Sequence, residues 1–157
     1  MRLRNLLMGA LLLCTTAACT DATDVSGVWE MPESSSMLQI EQLAPPFTGR
    51  IKVAVDQFGW DVSGVVLFYR DDIYYDLASC HYVMDGEVRS DSFLFSLEFE
   101  DGQRLLGHLE YSESGGDELL KGNLVDPDGE KPPLQVVLKR VGGDAKVHRE
   151  EWDLGCQ

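Results

Sequence analysis

One segment of this chain groups residue types that could do chemistry, residues 71–76. Asp71, Asp72 and Asp76 flank Tyr74 and Tyr75 there. Paired carboxylates beside aromatic rings can bind sugars or carry out acid–base catalysis. A solvated turn leading into a strand with outward-facing tyrosines accounts for the same residues, and we favour that interpretation.

The stretch from Asp126 to Glu130 reads Asp-Pro-Asp-Gly-Glu and resembles part of a calcium loop. In the pattern D-x-[DN]-x-[DN]-G the first ligand position would fall on Leu124 and the closing acidic position on Gln135. Neither residue supplies the required carboxylate. Asp-Pro-Asp-Gly is instead typical of a hairpin turn, which is what we expect at this position.

The histidines and serines lack the spacing of known catalytic or metal sites. His81, His108 and His148 lie in separate segments without a motif such as H-x-x-x-H. No serine stands in the pattern G-x-S-x-G. We therefore expect a protein that is not an enzyme and that uses no cofactor and no metal.

The N-terminus predicts export of the chain. Arg2 and Arg4 are followed by the apolar run Leu6–Leu13, and then by Thr16-Ala17-Ala18 before Cys19. The apolar run is too short to cross about 30 Å of hydrocarbon as a helix. Residues 1–18 are therefore predicted to be a cleaved signal peptide rather than a membrane span.

The small residues before Cys19 resemble the lipobox of bacterial lipoproteins, in which this cysteine is acylated, with palmitate for example, and becomes the new N-terminus. The resemblance implies that residues 19–26 tether the domain to the membrane. Thr20 rather than aspartate follows the cysteine, which by the family's sorting rule implies the outer membrane, facing the periplasm. The alternative is an ordinary secreted protein cut near Ala17 or Ala18.

Two cysteines remain if Cys14 leaves with the signal and Cys19 carries the lipid. Cys80 and Cys156 would then be an even pair in an oxidising compartment, where a disulfide is expected. Such a bond would close a loop of roughly 76 residues, stabilise the fold by about 4 kcal/mol and hold the C-terminal tail to the domain. A catalytic nucleophile formed by Cys80 and His81 would need a reduced thiol, which an oxidising compartment does not favour.

The charge of the chain is strongly acidic. The sequence has 157 residues, 13 of them basic and 27 acidic. Loss of Arg2 and Arg4 leaves 11 basic residues and a net charge of −16. Such a surface repels nucleic acid and anionic lipid headgroups and suits cations or a basic partner. Simple solubility explains the same charge, and we favour it.

Alternating apolar and polar residues from Gly27 onward predict strands, at about 26–31, 36–43, 47–55, 61–70, 73–84, 92–100, 103–112, 118–125 and 133–140. Turn signals fall between them at Asp85-Gly86, Asp101-Gly102, Gly115-Gly116 and Asp128-Gly129. Inward glycines within the strands favour the sharp bends of a small closed barrel. We therefore predict that residues 27–157 form an all-β, up-and-down antiparallel barrel of about eight strands, with a short C-terminal helix over 144–152.

The first strand carries Gly27-Val28-Trp29, which resembles the Gly-x-Trp of lipocalins and their calycin relatives. The resemblance implies that Trp29 plugs one end of the barrel and that Arg140, late in the last strand, packs across its ring. Many lipocalins also link a strand in mid-barrel to the C-terminal tail by a disulfide, as Cys80 and Cys156 could. Bacterial members of the family are often lipoproteins.

The middle of the chain is rich in aromatic residues, and Phe58, Trp60, Phe68 and Tyr74 could line one mouth of the barrel. Such a mouth would suit a small apolar ligand or a protein partner. Ordinary core packing explains the same residues and is the interpretation we favour. Together these features predict a lipid-anchored envelope protein with a non-catalytic, lipocalin-like binding module that binds no nucleic acid. The alternative is an accessory subunit that docks a protein of the envelope.

Overall fold

A computed structural model of the chain describes residues 22–40, 47–69, 81–98 and 102–143. Nine strands make up most of these ranges and no helix occurs in them. The strands are β1 (Gly27–Glu30), β2 (Leu38–Ile40), β3 (Phe47–Phe58), β4 (Asp61–Tyr69), β5 (His81–Arg89), β6 (Ser92–Glu98), β7 (Arg104–Ser114), β8 (Asp117–Val125) and β9 (Leu134–Gly142). The predicted helix over 144–152, together with Cys19, Tyr74, Cys80 and Cys156, lies outside the described residues.

The sheet closes on itself into an eight-stranded antiparallel barrel, which confirms the predicted fold class. From β3 to β9 each strand pairs with the next one in sequence. The four residues of β1 close the barrel, because Trp29 pairs with Val53 of β3 on one side and with Arg140 of β9 on the other. The short strand β2 adds beside the first residues of β3, where Leu38 pairs with Gly49.

The interior is a packed core that follows from the alternation of the strands. In β6, for example, Phe93, Phe95 and Leu97 are buried while Leu94 and Ser96 are half-buried. A strand with this pattern places one face inside and the other outside. The largest fully buried side chains are those of Trp29, Phe68, Phe93, Ile51, Met84, Leu97, Leu105, Leu109, Leu120, Leu124 and Leu138. A smaller cluster of Val28, Ala54 and Val65 is buried on the other face of β1, β3 and β4.

One predicted turn is wrong. The sequence placed a turn at Asp85-Gly86, but both residues lie inside β5, and the chain reverses at Ser90-Asp91, where Ser90 has a φ of 56°. Gly86 pairs with Phe95, and a Cβ at Gly86 would overlap the backbone of β6. Gly86 therefore allows two strands to approach closely. The dipeptide Asp-Gly also occurs in turns, so the sequence alone does not distinguish the two cases.

Two other predicted turns, at Gly115-Gly116 and Asp128-Gly129, are confirmed, while Asp101 lies outside the described residues. Gly115 and Gly116 form the β7–β8 hairpin turn, and both have positive φ. Asp128-Gly129 lies in the connection from β8 to β9, where the Gly129 amide donates to the Asp126 carbonyl at 3.0 Å. The Asp126 side chain accepts from the Asp128 amide at 3.1 Å. The predicted reading of this stretch as a turn is confirmed, since the Asp126 carboxylate organises the loop's own backbone.

Candidate functional site

The two ends of the barrel differ, and the end where the chain enters is the candidate site. We call it the entry end. It comprises residues 22–26, the turns at 59–60, 90–91 and 115–116, and the last residues of β9. The opposite end carries residues 31–37 and the turn at 126–133. Strand direction fixes this division, because each strand of an up-and-down barrel runs from one end to the other.

Trp29 plugs the interior next to the entry end. Its side chain is fully buried, and its indole Nε1 donates to the Val25 carbonyl at 2.8 Å. The ring of Tyr111 meets it edge-on, with centroids 6.4 Å apart and an interplanar angle of 87°. Gly27, two residues earlier, has a φ of +119°, and a Cβ there would overlap the Gly142 carbonyl. The Gly-x-Trp sequence thus places glycine where only glycine fits and the tryptophan directly inside.

Arg140 packs across this tryptophan, as the sequence predicted. Its Cζ atom lies 4.6 Å from the centroid of the Trp29 ring, within the range of a cation–π contact. The guanidinium also donates to the backbone carbonyls of Ser26 and, at 2.6 Å, of Asp24. Its Nε forms an ion pair with Glu118 at 2.9 Å. One side chain therefore ties the last strand to the first and to the segment before it.

Neighbouring groups shift the pKa values of Asp24 and Tyr111 near Arg140. The Ser26 hydroxyl donates to the Asp24 carboxylate at 2.5 Å, and this bond, with the nearby charge of Arg140, holds the pKa of Asp24 below its usual range. The Tyr111 hydroxyl lies 2.9 Å from carboxylate oxygens of both Glu113 and Glu118. Desolvation first, and then these two carboxylates, raise the pKa of Tyr111. The hydroxyl therefore donates to the carboxylates that border Arg140.

Residues 22–26, the described part of the predicted tether, pack against the barrel. Val25 is fully buried and its amide donates to the Gln57 side chain at 2.8 Å. The Thr23 hydroxyl donates to Asp91 at 2.6 Å, and its amide to the Ser90 carbonyl at 3.2 Å. The small polar composition hid these contacts, because the partners lie far away in sequence.

The predicted aromatic mouth is not formed by the residues that the structure describes. Phe68 is 1% exposed and packs in the core towards the opposite end. Phe58 and Trp60 lie at the entry end, on the turn between β3 and β4, and are 89% and 60% exposed. Alternation explains the outcome, since Val62, Gly64, Val66 and Phe68 all fall on the inner face of β4. The aromatic residues of this region are therefore split between the core and one exposed turn.

Two hollows that are flanked by described residues lie among exposed side chains of the barrel. One of about 400 Å³ lies beside Phe58 and is lined partly by Asp56, Asp61 and Asp85. Another of about 510 Å³ lies at the opposite end, beside Arg104 and Asp126. No group of three or more histidine, cysteine or acidic side chains is placed to hold a metal ion in ranges 22–40, 47–69, 81–98 and 102–143.

In the same part of the chain there is no helix long and apolar enough to cross a membrane. The candidate site is therefore the entry end of the barrel, which Trp29 and Arg140 close. It carries the exposed side chains of Phe58 and Trp60 beside residues 22–26. No family model, no curated protein and no solved structure matches this chain.

Proposed function

We propose that the protein is a non-catalytic, lipid-anchored protein of the bacterial envelope that works through its outer surface rather than through a ligand held inside its barrel. The observation that carries this proposal is the occupied interior. Small eight-stranded barrels are either filled by their own side chains or hold one small ligand. Here large side chains such as Phe68, Phe93 and Met84 are fully buried inside.

The packing around Phe95 illustrates how full the interior is. Phe95 stands between Gly86 of β5 and Gly107 of β7, and a Cβ on Gly107 would overlap its ring. The ring of Phe93 follows at a centroid distance of 4.9 Å. An interior ligand at this level would have to displace these rings, and cores packed to native density resist such a change.

The anchor part of the proposal rests on the sequence before the barrel. We propose that residues 1–18 are removed, that Cys19 is acylated, and that the protein faces the periplasm from the outer membrane. The position of Ala22 at one end of the barrel, rather than along its side, suits an anchored N-terminus.

Mass analysis of the N-terminal peptide, together with membrane fractionation, tests the anchor. Wild type should carry acyl chains on Cys19 and fractionate with the outer membrane. The Cys19→Ser variant should be unacylated and unprocessed, while the matched variant Cys14→Ser, inside the signal, should behave as wild type. Acylation that persists in Cys19→Ser would reject the proposal.

The lipocalin-like character of the barrel is part of the same proposal. Its support is the positive φ of Gly27 and the Trp29–Arg140 contact at the closed end. The Cys80–Cys156 disulfide stays a prediction, and peptide mapping without reductant tests it. Two separate thiol-bearing peptides would contradict the bond.

A carrier of a small apolar ligand is the second candidate, and one observation favours it. The interior away from Trp29 is lined by apolar side chains, among them Met31, Leu38, Ile51 and Phe68. Because Trp29 and Arg140 close the entry end, a ligand would have to enter at the opposite end. Native mass spectrometry of protein extracted with its lipids separates the candidates. Surface function predicts no bound small molecule beyond the acyl chains, whereas a carrier predicts a stoichiometric one.

A further inference from the structure

Two large aromatic side chains stand exposed next to each other at the entry end. Phe58 is 89% exposed and Trp60 is 60% exposed, with Gly59 between them at the tip of the β3–β4 turn. We propose that this turn inserts into the headgroup layer of the membrane that carries the chain's own lipid, so that the barrel stands on its entry end. The inference deepens the proposed function and rests on its acylation of Cys19.

The turn and the incoming chain are joined by one side chain. The Gln57 amide group donates to the Thr23 carbonyl at 3.1 Å and to the Gly59 carbonyl at 2.9 Å. It also accepts from the Val25 amide. The chain therefore reaches the barrel directly beside the aromatic turn.

The length of chain before the barrel limits how far this end can be from the membrane. Cys19 precedes Ala22 by three positions. A fully extended chain spans about 3.3 to 3.6 Å per residue, so the Cα atom of Cys19, from which the acyl chains begin, would lie within roughly 11 Å of the Cα atom of Ala22. An aromatic side chain that projects from the same end is within reach of the headgroups.

The chemistry of the turn selects the kind of lipid surface. Tryptophan prefers the membrane–water interface, because its ring is apolar while its N–H finds polar partners. The turn at 56–61 carries the carboxylates of Asp56 and Asp61 beside the aromatic pair and neither lysine nor arginine. On the adjacent turn Asp91 is accompanied by Arg89, whose guanidinium forms an ion pair with Glu87 at 2.9 Å, so carboxylates are in excess here. Carboxylates are repelled by anionic headgroups. The surface therefore fits a zwitterionic lipid, such as phosphatidylethanolamine, better than an anionic one.

Fluorescence quenching in vesicles tests the contact. The full-length protein, its acylation state established by mass, is reconstituted into phosphatidylethanolamine–phosphatidylcholine vesicles with or without lipids brominated near the headgroup. The difference in emission between wild type and Trp60→Phe isolates Trp60, because the other tryptophans are common to both. We expect brominated lipid to quench this difference strongly, and anionic lipid to reduce the quenching.

The matched control places a tryptophan at the other end of the barrel. Met37 lies before β2, is 48% exposed and belongs to the opposite end. In the Trp60→Phe background, Met37→Trp should add emission that brominated lipid leaves unchanged. Far-UV circular dichroism of each variant establishes that the barrel is folded.

The outcomes separate this inference from the anchor proposal. Acylated protein with unquenched Trp60 emission would overturn the membrane contact and leave the anchor standing, with the aromatic pair then exposed to the periplasm for a protein partner. Protein without acyl chains would overturn the anchor. The inference would then fail with the anchor, because the turn is proposed to enter the membrane that carries the chain's own lipid, and quenching on added vesicles would show only that the turn has an affinity for lipid.

Discussion

Replacing Trp29 tests the closed end of the barrel most directly. Trp29 is fully buried, donates to Val25 and contacts both Arg140 and Tyr111. Truncation of a buried tryptophan to alanine costs about 3 to 5 kcal/mol from lost transfer free energy and the cavity left behind. The cation–π and edge-on aromatic contacts each contribute about 0.5 to 2 kcal/mol in such settings, so we expect Trp29→Ala to fall in the upper part of that range.

Two further variants divide this loss into parts. Trp29→Phe keeps most of the apolar volume but removes the Nε1 donor, which leaves the Val25 carbonyl without its partner and should cost about 1 to 3 kcal/mol. Trp60→Ala changes an exposed ring of the same type and should stay within about 0.5 kcal/mol of wild type. Urea unfolding followed by circular dichroism measures all three, since fluorescence would change with tryptophan content. A loss for Trp29→Ala as small as that for Trp60→Ala would refute the reasoning.

Three other changes have defined outcomes. Arg140→Gln removes the guanidinium from the ring and from two backbone carbonyls and should cost about 2 to 4 kcal/mol in urea unfolding. Lys139→Gln is the control, because the half-exposed ion pair of Lys139 with Asp117 contributes only about 0 to 1 kcal/mol. Equal losses of stability in Arg140→Gln and Lys139→Gln would contradict the role of Arg140. Because the folded-state pKa of Asp24 is lowered, its contribution to stability is present above its ordinary pKa of 3.8 and is lost as pH falls through the folded value. The difference in unfolding free energy between wild type and Asp24→Asn should therefore shrink only in acid, and a difference independent of pH would contradict the effect. Gly107→Ala should lower the free energy of unfolding by about 1 to 3 kcal/mol, because the new Cβ overlaps the Phe95 ring. Adding Phe95→Leu should recover part of this loss. If the double variant recovers none of it, the strain does not arise from the Phe95 ring.

The sequence predicts the barrel well because both of its signals are local. Alternation along β6 and β7 sets which side chains point inward, and tight turns between neighbouring strands make them antiparallel. Closure is predicted from the glycines at inward positions of the strands, and the resemblance of Gly27-Val28-Trp29 to lipocalins implies in addition a late arginine packed across the tryptophan. That pair predicts a contact between the first and last strands, which the register of Trp29 with Arg140 bears out.

The errors arise where a residue's role depends on a distant partner. Gly86 is a turn signal by composition, but its neighbour in space is Phe95 on the next strand. The contacts of residues 22–26 are likewise hidden in their small, polar composition, because Val25 is buried in the barrel and Gln57, 32 positions later, binds its backbone. The exposed turn of Phe58 and Trp60 was grouped with Phe68 by proximity in sequence, although the strand between them places these side chains at opposite ends.

The brevity of β1 has a consequence for how the barrel opens. Its four residues supply the hydrogen bonds to both β3 and β9, and a register shift interrupts the pairing with β9 between Val28 and Trp29. Local unfolding starts where few backbone bonds must break, so amide hydrogen exchange should be fastest along this seam. The Arg140–Ser26 contact spans 114 residues, so the seam also forms only after the last strand has been synthesised. Until then β3 and β9 present free edges, and a second copy of the chain could supply the missing β1 in a domain swap.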